Sequence, residues 1–431
     1  MDWKPVIIDT LRKEVVPAIG CTEPVAVALA CARARELAGE TMIKKVEIYV
    51  SPNIYKNGLC VGIPHTNEVG LHIAAALGAV GGSSERDLRV LENIKEEDLQ
   101  AARALIDQKK LTIGTKDTTE KVYVEVILMT ENNQSKTIIC ERHNQFAYLE
   151  KNGEVLLELE KNTSSSKAEE DAIYDLRIRD IIETIEEIPF EALAFMLDGL
   201  EMNERIAKAS LEQDMGMGVG ITIYKNMKKG LLADDLINHA MMLTAAGADA
   251  RMSGMTMPVM SSNGSGNNGL TAILPIVAYR NKVNVEDEQL ARALAISHMI
   301  NGYIKKHIGR LSALCGCGVA ASTASSVAIA WLMGASKDQI DGVIKNMVAN
   351  ISGMICDGAK VGCALKLATA ASTAVQSALL AVDDKIVPAK NGIVAETAEE
   401  TIKNLGKLGM QGMESADRVI LDIMRTMDCA V

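Results

Sequence analysis

Four cysteines fall into two close pairs in the C-terminal half: Cys315 and Cys317 in "LCGCG", and Cys356 and Cys363 in "ICDGAKVGC". Glycines flank both pairs, so the backbone there can come close to something bulky and turn its amides toward sulfur. Four thiolates are a ligand set for tetrahedral zinc, but C-x-C and C-x6-C depart from the C-x2-4-C spacing of zinc knuckles. An iron-sulfur cluster also takes cysteine thiolates and is less strict about spacing. Three protein thiolates would leave one iron open as a Lewis acid. Buried structural thiols are the alternative, because free cysteine also packs as a small apolar residue.

Near the N-terminus, "GCTEP" places Cys21 at the mouth of a helix whose start is marked by Thr22, as N-cap, and Pro24. The positive end of a helix favours a thiolate, which suits Cys21 to act as base or nucleophile. Cys31 lies mid-helix among alanines, and Cys60, Cys140 and Cys429 have no supporting pattern. Midway along the chain, "SSNGSGNNG" contains G-x-G-x-x-G at Gly264, Gly266 and Gly269. A dinucleotide site needs a parallel strand before that loop and βα units after it; Pro258 interrupts the first and the second are absent. What remains is a Gly-rich loop opening an apolar helix, whose free amides suit a carboxylate, with Asn263, Ser265, Asn267 and Asn268 adding polar side chains. His298, one turn from Asn301, is a candidate acid-base group ahead of His307, and Arg310 a bidentate partner for a carboxylate. Asp357 and Lys360 stand between two ligand candidates, where they tune the site or cap a helix.

These residues need elements to hold them. Residues 5–38 read as helical with a break at "VVPAIGCTEP". The period then changes to two in "KKVEIYV", "KVYVEVILM", "TIIC" and "EVLLELE", which predicts strands, and Asn152-Gly153 predicts a hairpin turn. A helical stretch around 68–110 interrupts them. "KNTSSSKAEED" reads as a linker, and from about 172 the chain is helical with Gly-rich breaks. The expected class is α+β: N-terminal helices over 1–39 packing on the C-terminal domain, a small, mostly antiparallel subdomain over 40–165, and an all-α domain over 166–431 carrying the cysteines.

A chain of 431 residues needs no covalent staples for its core. Nine cysteines and no signal-like start lead to the expectation of a reducing, cytoplasmic setting. The formal charge of -11 and the lack of a basic stripe disfavour nucleic acid as a partner. Leu311 to Ser336 carries no charge and has the length to span a bilayer, but Cys, Gly, Ser and Thr dilute it, so a buried helix is expected and no membrane partner. The expected partner is a small molecule, with self-association into a homo-oligomer open.

Together, "GCTEP", "SSNGSGNNG", "LSALCGCGVAA" and "GMICDGAKVGCALK", in this order over nearly the whole chain, resemble the L-cysteine desulfidase family, related to the iron-sulfur L-serine dehydratase alpha chain. The resemblance implies a 4Fe-4S enzyme without pyridoxal phosphate that eliminates sulfide from L-cysteine to give pyruvate and ammonia. It implies Cys356, Cys363 and one of Cys315 or Cys317 as cluster ligands, and Cys21 as the additional active-site cysteine. Thr22, Asn263, Ser265, Asn267 and Arg310 are then the expected substrate contacts. Cys21 as base, or Cys21 on the fourth iron with His298 as base, both stay open. Two other functions also do: serine dehydration, and a non-catalytic iron-sulfur or zinc protein that senses redox state.

Overall fold

The computed structural model describes residues 2–39, 42–64, 66–159, 172–309 and 312–426. The linker expected at Lys161–Asp171, and the candidates Arg310 and Cys429, lie outside the described residues.

The period-two segments form a six-stranded sheet in the order β3 (Leu111–Thr115), β2 (Lys45–Val50), β4 (Tyr123–Met129), β5 (Gln134–Cys140), β6 (Phe146–Lys151) and β7 (Glu154–Glu158). Only β2 and β3 run parallel; the other neighbours are antiparallel. Alternation decides the faces. Val46, Ile48 and Val50 of β2 lie opposite Leu128, Val126 and Val124 of β4 and point into one core, while Glu47 and Tyr49 point away from it. Asn152 and Gly153 both take positive φ, 52° and 84°, and make the tight turn between β6 and β7.

Helices Thr22–Ala38, Leu71–Val80 and Glu96–Asp107 cover the inner face of this sheet. The grouping expected for residues 1–39 is therefore split. Helix Lys4–Glu14 sends Ile7 and Leu11 into the core of the helical part, whereas helix Thr22–Ala38 belongs to the sheet. The reason is in its side chains: a long Ala-rich surface lets the helix lie close to the strands, where Ser135 and Thr137 donate to the carbonyls of Ala34 and Ala30. Its N-cap is Cys21 rather than Thr22, with φ -89° and ψ 134°, so the thiol residue itself starts the helix.

The second core is all helical and rich in small residues. Helices Leu236–Met252, Gly266–Arg280, Asp287–Ile308, Ser322–Leu332 and Cys363–Val382 pack in its interior. Within the uncharged stretch, a π-helical turn at Gly316–Ala321 runs into helix Ser322–Leu332, and residues 318–330 are buried. Helix Cys363–Val382 is long and apolar enough to cross a bilayer, yet more than half of it is buried within the molecule. Strand β1 (Pro17–Ala18) pairs antiparallel with β8 (Val259–Met260), tying the segment before Cys21 to the segment before the Asn-Gly loop. Cys21, Val61 and Met252 form a small third cluster, against which Ala359 and Cys363 pack.

Candidate active site

The two cysteine loops are brought together by backbone pairing. Leu314 bridges Ile355, the Cys315 amide donates to the Met354 carbonyl at 2.8 Å, and the Cys356 amide donates to Ala313 at 2.7 Å. Cys315 then caps the π-helical turn, its sulfur accepting from the Gly318 amide at 3.3 Å. Cys363 opens its own helix and contacts the Gly358 carbonyl. Gly358 sits at φ 93°, and a Cβ there would meet the Lys56 carbonyl oxygen at 2.3 Å, so glycine is required twice over.

The Asn-Gly loop comes from the opposite wall. Asn263 and Gly264 turn the chain at φ 49° and 77°, and Ser265 caps helix Gly266–Arg280 by accepting from the Asn268 amide. Gly269 is a packing residue, since its Cβ would lie 1.9 Å from the Met260 carbonyl oxygen. The segment before the loop belongs to the antiparallel β1–β8 pair, so the rejection of a dinucleotide fingerprint holds.

Cys21, Asn263, Ser265, Asn267, Cys315, Cys317, Cys356 and Cys363 all line one cavity, joining four segments far apart in the chain. Cys21 does not present a ready thiolate. It is buried and donates its proton to Glu23 Oε2 at 3.0 Å; burial and the Glu23 charge push its pKa well up. Burial works against the Glu23 carboxylate too, but the His143 charge and the Cys21 hydrogen bond prevail and hold it below the usual range. Thr22 lies outside the cavity lining and donates to the same Glu23 oxygen at 3.1 Å, so it orients the acid.

His298 is placed behind the loop. It is fully buried, and burial drives its pKa down to about 3. Ser262 Oγ receives amide protons from Asn301 and Asn263, which occupies both lone pairs and leaves its own proton for His298 Nδ1 at 2.8 Å. The imidazole is thus neutral, with its proton on Nε2, and supports the loop without lining the cavity.

Several cavity residues had no role in the sequence reading. Glu23 was inside a quoted motif but unassigned. Arg251, in the buried run "TAAGADARM", carried one signal: a buried cation two residues after Asp249, near the end of a helix rich in small and apolar residues. Its guanidinium donates to Asn267 Oδ1 at 3.0 Å and the Gly20 carbonyl at 2.9 Å. Asn57, His143, Lys305 and Lys366 also line the cavity, and nothing local in their sequence context marks them.

The family that these motifs resemble implies a metal group, and the donor set can be tested for it. All four thiols are free. The Cys317 hydrogen bond, ahead of burial, which opposes it, brings Cys315 down to about 6, while burial raises Cys356 to about 11 and also lifts Cys363. Among the described residues no three His, Cys, Asp or Glu side chains gather as a single ion requires. Mononuclear zinc holds each sulfur at about 2.3 Å. A cluster is a larger body that accepts more widely spread thiolates and amide hydrogen bonds to sulfur, and it fits this lining better.

Residues 85–422 match the model of the serine dehydratase alpha chain. The chain belongs to that family. The match starts within the sheet-bearing part and ends in the C-terminal helix, so it spans Cys315, Cys317, Cys356 and Cys363 but leaves out "GCTEP". Full-length relatives include a UPF0597 protein of Alkaliphilus oremlandii, 62% identical over 99% of this chain and 100% of the relative. Another, from Alkaliphilus metalliredigens, is 62% identical over 98% of this chain and 95% of the relative. One from Clostridioides difficile is 53% identical over 98% and 99%. This serine dehydratase alpha chain relative therefore shares nearly its whole length, including the Cys21 segment, with those proteins.

Proposed function

We propose that the protein is an iron-sulfur-dependent lyase acting on small β-substituted L-amino acids, and specifically an L-cysteine desulfidase. The observation that carries the reading is the meeting, in one cavity, of a four-thiol lining, the Cys21–Glu23 pair and the amides opening helix Gly266–Arg280. Cys315, Cys356 and Cys363 would hold a 4Fe-4S cluster; Cys315 is preferred over Cys317 because its sulfur takes the Gly318 amide. When bound, the cluster supplies an iron with an open position, a soft Lewis acid for the leaving sulfur.

The chain's own residues do the rest. The substrate carboxylate lies at the positive end of helix Gly266–Arg280. Elimination removes the α-proton and breaks the Cβ–S bond. The Cys21 thiol relays the α-proton to Glu23: its sulfur accepts that proton as its own passes along the existing hydrogen bond to the carboxylate, and the protonated Glu23 then gives a proton to the departing sulfide. The aminoacrylate released tautomerises and is hydrolysed, so that L-cysteine and water give pyruvate, ammonia and hydrogen sulfide. The family match favours a second reading, dehydration of L-serine by the same residues.

The test is anaerobic purification, iron and acid-labile sulfide analysis, and assays for sulfide, pyruvate and ammonia from L-cysteine beside L-serine. Sulfide release with a brown, iron-containing protein is expected. Stoichiometric zinc in a colourless protein would remove the cluster, and preference for L-serine would establish the second reading. Iron with neither turnover would instead point to a non-catalytic redox protein.

A further inference from the structure

The cavity holds two buried polar groups of opposite character with unused hydrogen-bonding capacity. Arg251 is 3% exposed, and no carboxylate hydrogen-bonds to it among the described residues, although the Glu23 charge in the same cavity acts on it. Both its acceptors, Asn267 Oδ1 and the Gly20 carbonyl, are neutral, and Nε has no partner. A buried guanidinium whose direct hydrogen-bond acceptors are all neutral carries a desolvation cost that an anion in direct contact would relieve further. Asn268 is 1% exposed, and its Oδ1 is a buried acceptor without a donor. Arg251 and Asn268 both line the cavity, the one ending helix Leu236–Met252 and the other in the first turn of helix Gly266–Arg280.

We propose that Arg251 and Asn268 form a clamp for the two charged groups of an α-amino acid: Arg251 takes the carboxylate and Asn268 Oδ1 accepts from the α-ammonium. The clamp rests on the reading of the cavity as an amino-acid site and adds what selects the substrate class. The neutral loop amides by themselves accommodate any small carboxylate. An acceptor placed beside a fixed cation instead favours α-amino acids over acids or amines that lack one of the two groups, because the missing group leaves a buried partner unsatisfied.

The experiment measures binding, apart from turnover, by calorimetry on the anaerobically purified full-length protein. The probes are L-alanine, which has no β leaving group, propionate, which lacks the ammonium, and ethylamine, which lacks the carboxylate. Arg251→Met is expected to weaken L-alanine and propionate about ten- to hundredfold and leave ethylamine unchanged. Asn268→Leu is expected to weaken L-alanine and ethylamine and leave propionate unchanged. Arg251→Lys keeps the charge without the fork and should retain propionate at reduced affinity, which provides the test even if Arg251→Met does not fold. Loss of all three probes alike, or wild-type affinity for L-alanine in either truncated variant, overturns the clamp. If the expected pattern appears while neither L-cysteine nor L-serine is turned over, the proposed reaction fails and the clamp stands. If turnover persists with an unchanged KM in Arg251→Met, the reverse holds.

Discussion

Cys315 and Cys317 are two positions apart yet differ in what reaches their sulfurs. Cys315 is buried and accepts from the Gly318 amide, whereas Cys317 donates to Cys315 and its own pKa rises, first through that hydrogen bond and then through burial. If the cluster reading is right, Cys315→Ser removes a ligand and leaves little bound iron. Cys317→Ser removes a neighbour of the ligand and weakens iron binding by about 10- to 100-fold at most. Iron and acid-labile sulfide analysis after anaerobic reconstitution separates the two, and an iron-free Cys317→Ser beside an iron-loaded Cys315→Ser would reverse the assignment. At this scale the sequence showed the thiols and the Asn-Gly loop because their spacing is local. It could not show that Arg251 faces the same cavity, or that Glu23 holds the Cys21 proton, because both depend on tertiary placement. For the same reason the sequence could not place His298: its helix position is compatible with a cavity or a core, and the fold buries it behind the loop.

Among the elements, the alternation of Val46, Ile48 and Val50 was legible because one face of β2 is buried and the other is not. Strands β3 and β6 carry no such buried stripe: each buries a single residue, Leu111 or Leu149. The pair β1–β8 is two residues long and has no period to show. Close helix packing, by contrast, follows from composition. Gly78 of helix Leu71–Val80 lies against helix Thr22–Ala38, where a Cβ would meet the Ala28 carbonyl oxygen at 2.2 Å. Backbone cannot yield as a flexible side chain does, so Gly78→Val must push the two helices apart. Overpacking of this kind costs about 1–3 kcal/mol. Urea unfolding of Gly78→Val should show the midpoint lowered accordingly; an unchanged midpoint would mean that the helices do not meet so closely. Because helix Thr22–Ala38 starts at Cys21, the same displacement should also lower activity.

In the molecule as a whole, the cavity lies where two cores meet, and one buried lysine joins the parts around it. Helix Pro52–Gly58 is anchored to the sheet's core by Ile54, while Lys56 reaches the other way. Its Nζ donates to the Cys356 carbonyl at 3.2 Å and to Asp417 Oδ1 at 2.6 Å, so the sheet, the cysteine loop and helix Glu414–Thr426 share one cation. Lys56 is 2% exposed in its side chain and Asp417 27%. Breaking a fully buried pair costs about 3–5 kcal/mol; the partly hydrated Asp417 lowers that for Lys56→Met to about 1–3 kcal/mol. The exposed pair Lys44–Glu131, at 55% and 61%, is the control, and Lys44→Met should change stability by less than about 1 kcal/mol. Limited proteolysis then tells a joint from a simple ion pair. Lys56→Met should become sensitive in helix Glu414–Thr426 before the sheet is cut, whereas Lys44→Met should digest like the parent protein. Equal sensitivity of the two variants would mean that Lys56 adds stability without coupling the lobes. Early cleavage at the C-terminal helix would mean that the cysteine loop owes its position to contacts from both cores, which is why no single stretch of sequence describes the site.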